Sequence, residues 1–214
     1  MLQERNGRNL LIHGPPGIGK TVACKHLLQE IEEESEKVET IYINCWQKNT
    51  THKILLDICD IIGYRLTLNK KTDELFKAIK TILNKRSVVF VFDEADKLDD
   101  FDFLYLILED IYRKSIILIT NYHEWLVKLD PRIKSRLTPD TIEFKAYNEK
   151  ETREILKERL EYAFHPEVWD DEAFELIAVK TMEMNDIRSG LYLLKESGSI
   201  AEANSSRKIK LGHA

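Results

Sequence analysis

Hydrophobic residues recur along the chain in two rhythms. Unbroken apolar runs at Leu10-Leu11-Ile12, Ile41-Tyr42-Ile43, Val88-Val89-Phe90-Val91-Phe92 and Ile116-Ile117-Leu118-Ile119 are short, rich in β-branched and aromatic residues, and bounded by polar positions. They predict strands at 9–13, 40–45, 87–92 and 115–120, with a shorter one at 141–144. The third and fourth runs show no polar alternation, as central parallel strands covered on both faces require. The intervening segments repeat instead at helical spacing. A helix is predicted over 22–37, with Val22, Ala23, Leu27, Leu28 and Ile31 apolar and a run of glutamates at its solvated end. Another over 51–62 would bury Ile54, Leu55, Ile58, Ile61 and Ile62, with Gly63 as its left-handed stop. Further helices are predicted over 72–84, where Asp73 and Glu74 occupy the first turn, and over 102–112. Strands alternating with helices predict an α/β fold with a doubly wound, parallel, five-stranded sheet, which binds ligands beyond the carboxyl ends of its strands.

The pattern changes near residue 145, which places a nucleotide-binding domain at 1–145 and a small all-helical domain at 146–214. Before the boundary, Asp130-Pro131 breaks the chain and a polar segment with Lys134-Ser135-Arg136 follows. After it, Asn148 with Glu151 forms a capping pair for a helix reaching about 162. Asp170 or Asp171 caps a second helix, and Asn185-Asp186 precede a third that would bury Ile187, Leu191 and Leu194. The tail from 204 to 214 is polar and rich in small residues, and is expected to fray.

Composition narrows the classes. A chain of 214 residues with 43% hydrophobic content supports one or two domains with a sizeable core. No apolar run reaches the ~18 residues needed to span a bilayer, and Met1-Leu2-Gln3-Glu4-Arg5 lacks the form of a secretion leader. An intracellular, cytoplasmic setting without a membrane partner is expected. Cys24, Cys45 and Cys59 are odd in number and show no C-x-x-C spacing, so neither a disulfide framework nor a zinc site is indicated. A formal charge of −5 argues against a surface that is basic throughout; any DNA binding must be local.

The candidate chemistry begins at Gly14-Pro15-Pro16-Gly17-Ile18-Gly19-Lys20-Thr21, followed by Val22. The pattern G-x-x-x-x-G-K-[ST] between a strand and a helix is a phosphate-binding loop. Its glycines let the backbone curl with N–H groups inward, and the helix start favours negative charge. Lys20 would reach the β- and γ-phosphates, and the Thr21 hydroxyl would ligate Mg²⁺. At the end of the third strand, Asp93 would hold Mg²⁺, directly or through water. Glu94 would orient or deprotonate the water that attacks the γ-phosphorus. Asn121, at the end of the next strand, offers an amide to water and γ-phosphate. Arg132 and Arg136 are candidates for an arginine acting on a neighbouring subunit's nucleotide, with local ion pairing as the alternative. Arg188 would reach nucleotide from the helical domain.

Taken in order, Gly14 to Thr21, Phe92-Asp93-Glu94-Ala95-Asp96-Lys97-Leu98, Ile119-Thr120-Asn121, Leu129-Asp130-Pro131-Arg132-Ile133-Lys134-Ser135 and Asn185-Asp186-Ile187-Arg188 resemble the motifs of AAA+ ATPases. More narrowly they resemble the archaeal replication initiators related to the origin recognition complex. The resemblance implies ATP/ADP and Mg²⁺ as ligands, Asn121 and Arg188 as first and second sensors, and an arginine finger, best placed at Arg136. It implies slow ATP hydrolysis coupled to association with other AAA+ subunits or with further copies of the chain. It also implies DNA contacts from the helical insertion after the second strand, with Lys48, Lys53, Arg65, Lys70 and Lys71 as candidates. A transposition helper, a clamp-loader-like motor and a nucleotide-binding scaffold without turnover are the alternatives. The family's N-terminal adenine-holding segment and C-terminal winged helix are not visible here. A fragment or a shortened relative is therefore expected, without strong sequence-specific duplex binding of its own.

Overall fold

A computed structural model describes residues 7–214, which form two compact units. The first comprises 7–14 and 19–144, the second 15–18 and 145–214.

The first unit is an α/β sandwich. Strands β1 (Leu10–His13), β2 (Val38–Asn44), β3 (Ser87–Asp93), β4 (Lys114–Thr120) and β5 (Asp140–Glu143) form one sheet in the order β2-β3-β4-β1-β5, and every pairing is parallel. Helices α1 (Lys20–Glu34), α2 (Thr51–Ile61), α3 (Thr72–Leu83), α4 (Asp102–Asp110) and α5 (Pro131–Leu137) connect them. The period of two along each strand divides the core. Ile41, Ile43, Val88, Phe90, Phe92, Ile116 and Leu118 point to one face, where they pack with Leu55 and Ile58 of α2, Leu75 and Ile79 of α3 and Phe103 and Ile107 of α4. Val89, Val91, Ile117 and Ile119 point to the other and pack with Cys24 and Leu28 of α1. The same alternation turns Asp93 to the α1 face, because it continues the series begun by Val89 and Val91.

The second unit contains α6 (Glu149–Ala163), α7 (Asp171–Met184) and α8 (Ile187–Ala203). Asn148 and Glu151 form the expected capping box, the Asn148 side chain accepting from Glu151 N at 3.0 Å and the Glu151 carboxylate from Asn148 N at 2.8 Å. The core of the three helices is Leu156, Ile177, Ala178 and Leu194.

Five expectations are corrected. Ile61, expected to be buried by α2, is exposed at the end of that helix, and Ile62 is half-buried. Val22, Ala23 and Leu27 of α1 are exposed, because the helix starts at Lys20 and only Cys24 and Leu28 meet the sheet squarely. The segment after Asn121 is ordered: a 3₁₀ turn spans His123–Lys128, and Asp130 caps α5 by accepting from Arg132 N at 2.8 Å, with Pro131 at the first helical position. Proline that breaks a preceding element also starts a following one. Of the three residues expected to be buried by α8, Leu194 is, whereas Ile187 and Leu191 are half-buried. The tail does not fray throughout. Ile209 is 2% exposed, it bridges Trp169 in a short parallel pairing, and a 3₁₀ turn closes at Leu211–His213. Among the described residues no helix is long and apolar enough to cross a membrane.

Candidate nucleotide site

The sheet order sets β1 between β4 and β5, with β3 beyond β4, so the carboxyl ends of β1, β4 and β3 lie side by side. Register makes this specific. His13 is opposite Thr120, so the next residues, Gly14 and Asn121, continue outward together; Asn44 is opposite Asp93. Gly14, Gly17 and Gly19 take φ values of 149°, 79° and 88°, which L side chains rarely adopt, and Gly19 leads into α1 as its N-cap. Within the second unit a Cβ on Gly17 would lie 2.0 Å from Asp186 Oδ1, and the Tyr147 hydroxyl donates to Ile18 O at 2.9 Å. Pro16 and Val22 are exposed on either side of the buried Ile18.

Lys20 is only 7% exposed, and its ammonium donates to Gly14 O at 2.7 Å and to Asn121 Oδ1 at 2.9 Å. Burying an ammonium requires such partners, since an unpaired one would carry a large desolvation cost. One residue further, the Thr21 hydroxyl donates to Asp93 Oδ2 at 2.7 Å. Asp93 is 2% exposed, and its other oxygen accepts from Glu94 N at 2.9 Å. Lys20 and Asn121 thus meet directly, as do Thr21 and Asp93. Glu94 follows with φ at 56°, a left-handed conformation that turns its side chain away from the strand direction. Asp96 stands apart from this pair, accepting from Thr120 Oγ1 at 3.2 Å and from Lys97 at 3.0 Å.

Tyr42 on β2 is a participant that sequence reasoning missed. Its hydroxyl donates to Asp93 Oδ2 at 2.7 Å, the oxygen that also accepts from Thr21. Burial, and then the bond to Asp93, push the Tyr42 phenol above its ordinary pKa, so it stays a donor. Burial is also the main cause raising Cys24 to about 11, with the Asp93 charge adding to it. The Cys45 thiol is raised by burial first and then by Asp93, Glu94 and Asp96.

The remaining candidates have other surroundings. Arg136 on α5 donates to Glu109 Oε2 at 2.6 Å and to Arg132 O at 3.2 Å, with its guanidinium 5.3 Å from the Tyr105 ring centre. Arg132 makes a two-pronged bond to Asp130, both distances 3.1 Å. Arg188 is exposed on the first turn of α8 in the second unit. Of the five candidate DNA contacts, Lys48 is paired with Asp57 and Lys70 with Glu74, each at 3.0 Å, and Lys53 donates to Asn49 at 2.9 Å. Arg65 and Lys71 are exposed on the same insertion.

The donor set suits a magnesium nucleotide. A hydroxyl and one buried carboxylate, 2.7 Å apart, leave most positions of an octahedral ion to phosphate and water, which is how Mg²⁺ is held with nucleotides. Among the described residues no three His, Cys, Asp or Glu side chains converge to hold a metal by themselves.

A parallel sheet whose interior strand β1 ends in a glycine-rich loop, with lysine, threonine, acid and asparagine gathered at the rim, defines a phosphate-loop nucleotide-binding fold. The chain belongs to the AAA family: the family model described as an AAA domain matches residues 3–124. A second model, described as the Cdc6 AAA+ ATPase-type lid domain, matches residues 153–214. The chain is similar to ORC1-type DNA replication protein 1 of Sulfurisphaera tokodaii, 32% identical over 226 residues that cover 100% of this chain and 57% of that protein. The ORC1-type DNA replication protein of Pyrococcus horikoshii is 31% identical over 233 residues, covering 100% and 56%. This chain therefore spans little more than half the length of these relatives. Among solved structures, the Aeropyrum pernix ORC1 protein in complex with DNA superposes with a TM-score of 0.88 at 28% identity, over 99% of this chain and 59% of that one. The RuvB branch migration motor of Thermotoga maritima, at TM-score 0.65 and 19% identity over 99% and 61%, shares the fold.

Proposed function

We propose that this chain is the ATP-binding and ATP-hydrolysing switch module of a DNA replication initiator acting inside the cell. The observation that carries the reading is the buried Lys20 ammonium, bonded to both Gly14 O and Asn121 Oδ1 beside the Thr21–Asp93 pair. The similarity to ORC1-type replication proteins supplies the biological setting.

The roles follow from where each group sits. Loop N–H groups of 14–22 cradle the phosphates, and the Lys20 ammonium neutralises charge on the β- and γ-oxygens. Thr21 and Asp93 hold Mg²⁺, which when bound offsets the charge that develops on the transferred phosphoryl group. Glu94 orients the attacking water and takes its proton, and Asn121 fixes the γ-phosphate through its amide. The helical domain, 146–214, presents Arg188 as a second sensor, so that its closing depends on the nucleotide bound. Arg136 acts in trans, exchanging Glu109 for a neighbouring subunit's phosphate. Hydrolysis is accordingly slow and dependent on assembly. Arg65 and Lys71 are the insertion cations best able to meet a DNA backbone, and their number implies a weak, salt-sensitive contact.

Binding of a fluorescent ATP analogue to Lys20→Ala tests the core of this reading. Affinity falls at least about a hundredfold on loss of a buried charge-assisted contact; equal affinity overturns it. Origin duplex against arbitrary DNA, offered to the full-length gene product, tests the replication role. A nucleotide-binding scaffold without turnover is the second reading, and the Arg136–Glu109 pair favours it. Hydrolysis that rises with protein concentration and disappears in Arg136→Ala decides for the enzyme.

A further inference from the structure

We propose that Tyr42 is a positioning residue for the metal-nucleotide site, holding the Asp93 carboxylate through its phenol so that the Thr21–Asp93 pair is preset for Mg²⁺. The inference rests on the reading of this rim as an ATP site and adds a residue that the phosphate-loop pattern does not contain.

Three observations carry it. Tyr42 lies on β2 opposite Val91, and the alternation that turns Val91 and Asp93 to the α1 face turns Tyr42 there as well. Its hydroxyl reaches Asp93 Oδ2 at 2.7 Å, the same distance as the Thr21 hydroxyl, so one carboxylate oxygen accepts two O–H donors. With Glu94 N on the other oxygen at 2.9 Å, the carboxylate is fixed in rotation from three sides. The ring is held in turn: the Lys25 ammonium lies 4.6 Å from its centre, one turn along α1 from Thr21. The helix that carries the metal-binding hydroxyl therefore also seats the phenol that orients the metal-binding acid.

Two effects oppose each other. A phenol on Oδ2 withdraws charge that a cation would use, whereas a carboxylate left to rotate must be ordered when the cation arrives. Partners behind metal ligands typically contribute about ten- to a hundredfold in metal affinity, which decides for ordering.

The test uses the chain as it is, titrating Mg²⁺ into a complex with a fluorescent ADP and repeating the nucleotide titration in EDTA. Tyr42→Phe keeps the ring and its contact with Lys25 and removes only the hydroxyl. The expected result is about a tenfold higher Mg²⁺ half-saturation, with metal-free nucleotide affinity and thermal midpoint unchanged. An unchanged Mg²⁺ requirement overturns the proposal, and so does a lowered one, which would make the phenol a competitor of the metal. A loss of affinity of equal size with and without Mg²⁺ overturns it too, since that marks a structural role. Wild-type protein that binds no nucleotide would instead remove the reading of the site itself, and this proposal with it.

Discussion

Lys20 and Asn121 stand 101 positions apart and meet through a 2.9 Å hydrogen bond from ammonium to amide oxygen. The bond helps to fix where the ammonium sits, together with its donation to Gly14 O at the start of the glycine-rich loop. On the proposed reading, a phosphate entering the loop would meet both side chains at once.

Asn121→Ala separates binding from chemistry. Nucleotide affinity changes less than about tenfold, since Lys20 and the loop remain, while kcat falls about a hundredfold, the usual cost of losing one preorganised polar group aimed at developing charge. Equilibrium binding and single-turnover hydrolysis measure the two; an unchanged kcat would refute the role.

On the proposed role, Glu94 is a position where activity and stability conflict. A non-glycine residue at φ 56° is held in the left-handed region, at a cost of about 1–2 kcal/mol. Glu94→Gln keeps the strain and the nucleotide but loses at least about a hundredfold in hydrolysis. Glu94→Gly loses hydrolysis equally and gains about 1 kcal/mol in stability, read by urea unfolding. A destabilised glycine variant would show that the glutamate side chain supports the fold.

Gly190 marks a close approach between α8 and α7. A Cβ there would lie 2.3 Å from Thr181 Oγ1 and 2.6 Å from its Cγ2, and Thr181 is 1% exposed with its hydroxyl donated to Ile177 O at 2.7 Å. Gly190→Ala destabilises the helical domain by about 1–3 kcal/mol, outweighing the ~1 kcal/mol that alanine contributes to a helix. Adding Thr181→Ala recovers most of it. Denaturation of the two single variants and the double variant measures the coupling, and additivity would contradict the contact.

The buried thiols make the fold sensitive to alkali. Burial raises Cys24 and Cys59 from 9.0 to about 11, so between these values the native state keeps protons that the unfolded chain has released. Stability is whole below pH 9 and declines as pH rises toward 11, because the unfolded state binds fewer protons there. Lysines titrate in the same range, so the comparison is with Cys24→Ala and Cys59→Ala, whose unfolding midpoints should fall less steeply over that interval. Equal slopes would refute the assignment.

Strand runs such as Val88 to Phe92 were legible because uninterrupted apolar residues have one use in a chain of this kind, a strand covered on both faces. The glycine loop was legible because its residue types are dictated by local backbone shape. Tyr42 was not: an aromatic in a strand reads as core, and only the parallel register with β3 brings its hydroxyl to Asp93. The state of the arginines and lysines was equally hidden. Whether Arg136 is free or held depends on Glu109, which belongs to another helix.

By itself, then, the sequence determined the alternation of elements, the loop that curls, and which residue types stand at strand ends, since these follow from local periodicity and backbone freedom. Tertiary structure alone decided which of those ends are neighbours. The order β2-β3-β4-β1-β5 and its register place Gly14 beside Asn121 and Tyr42 within reach of Asp93, and no local pattern encodes a contact made across strands.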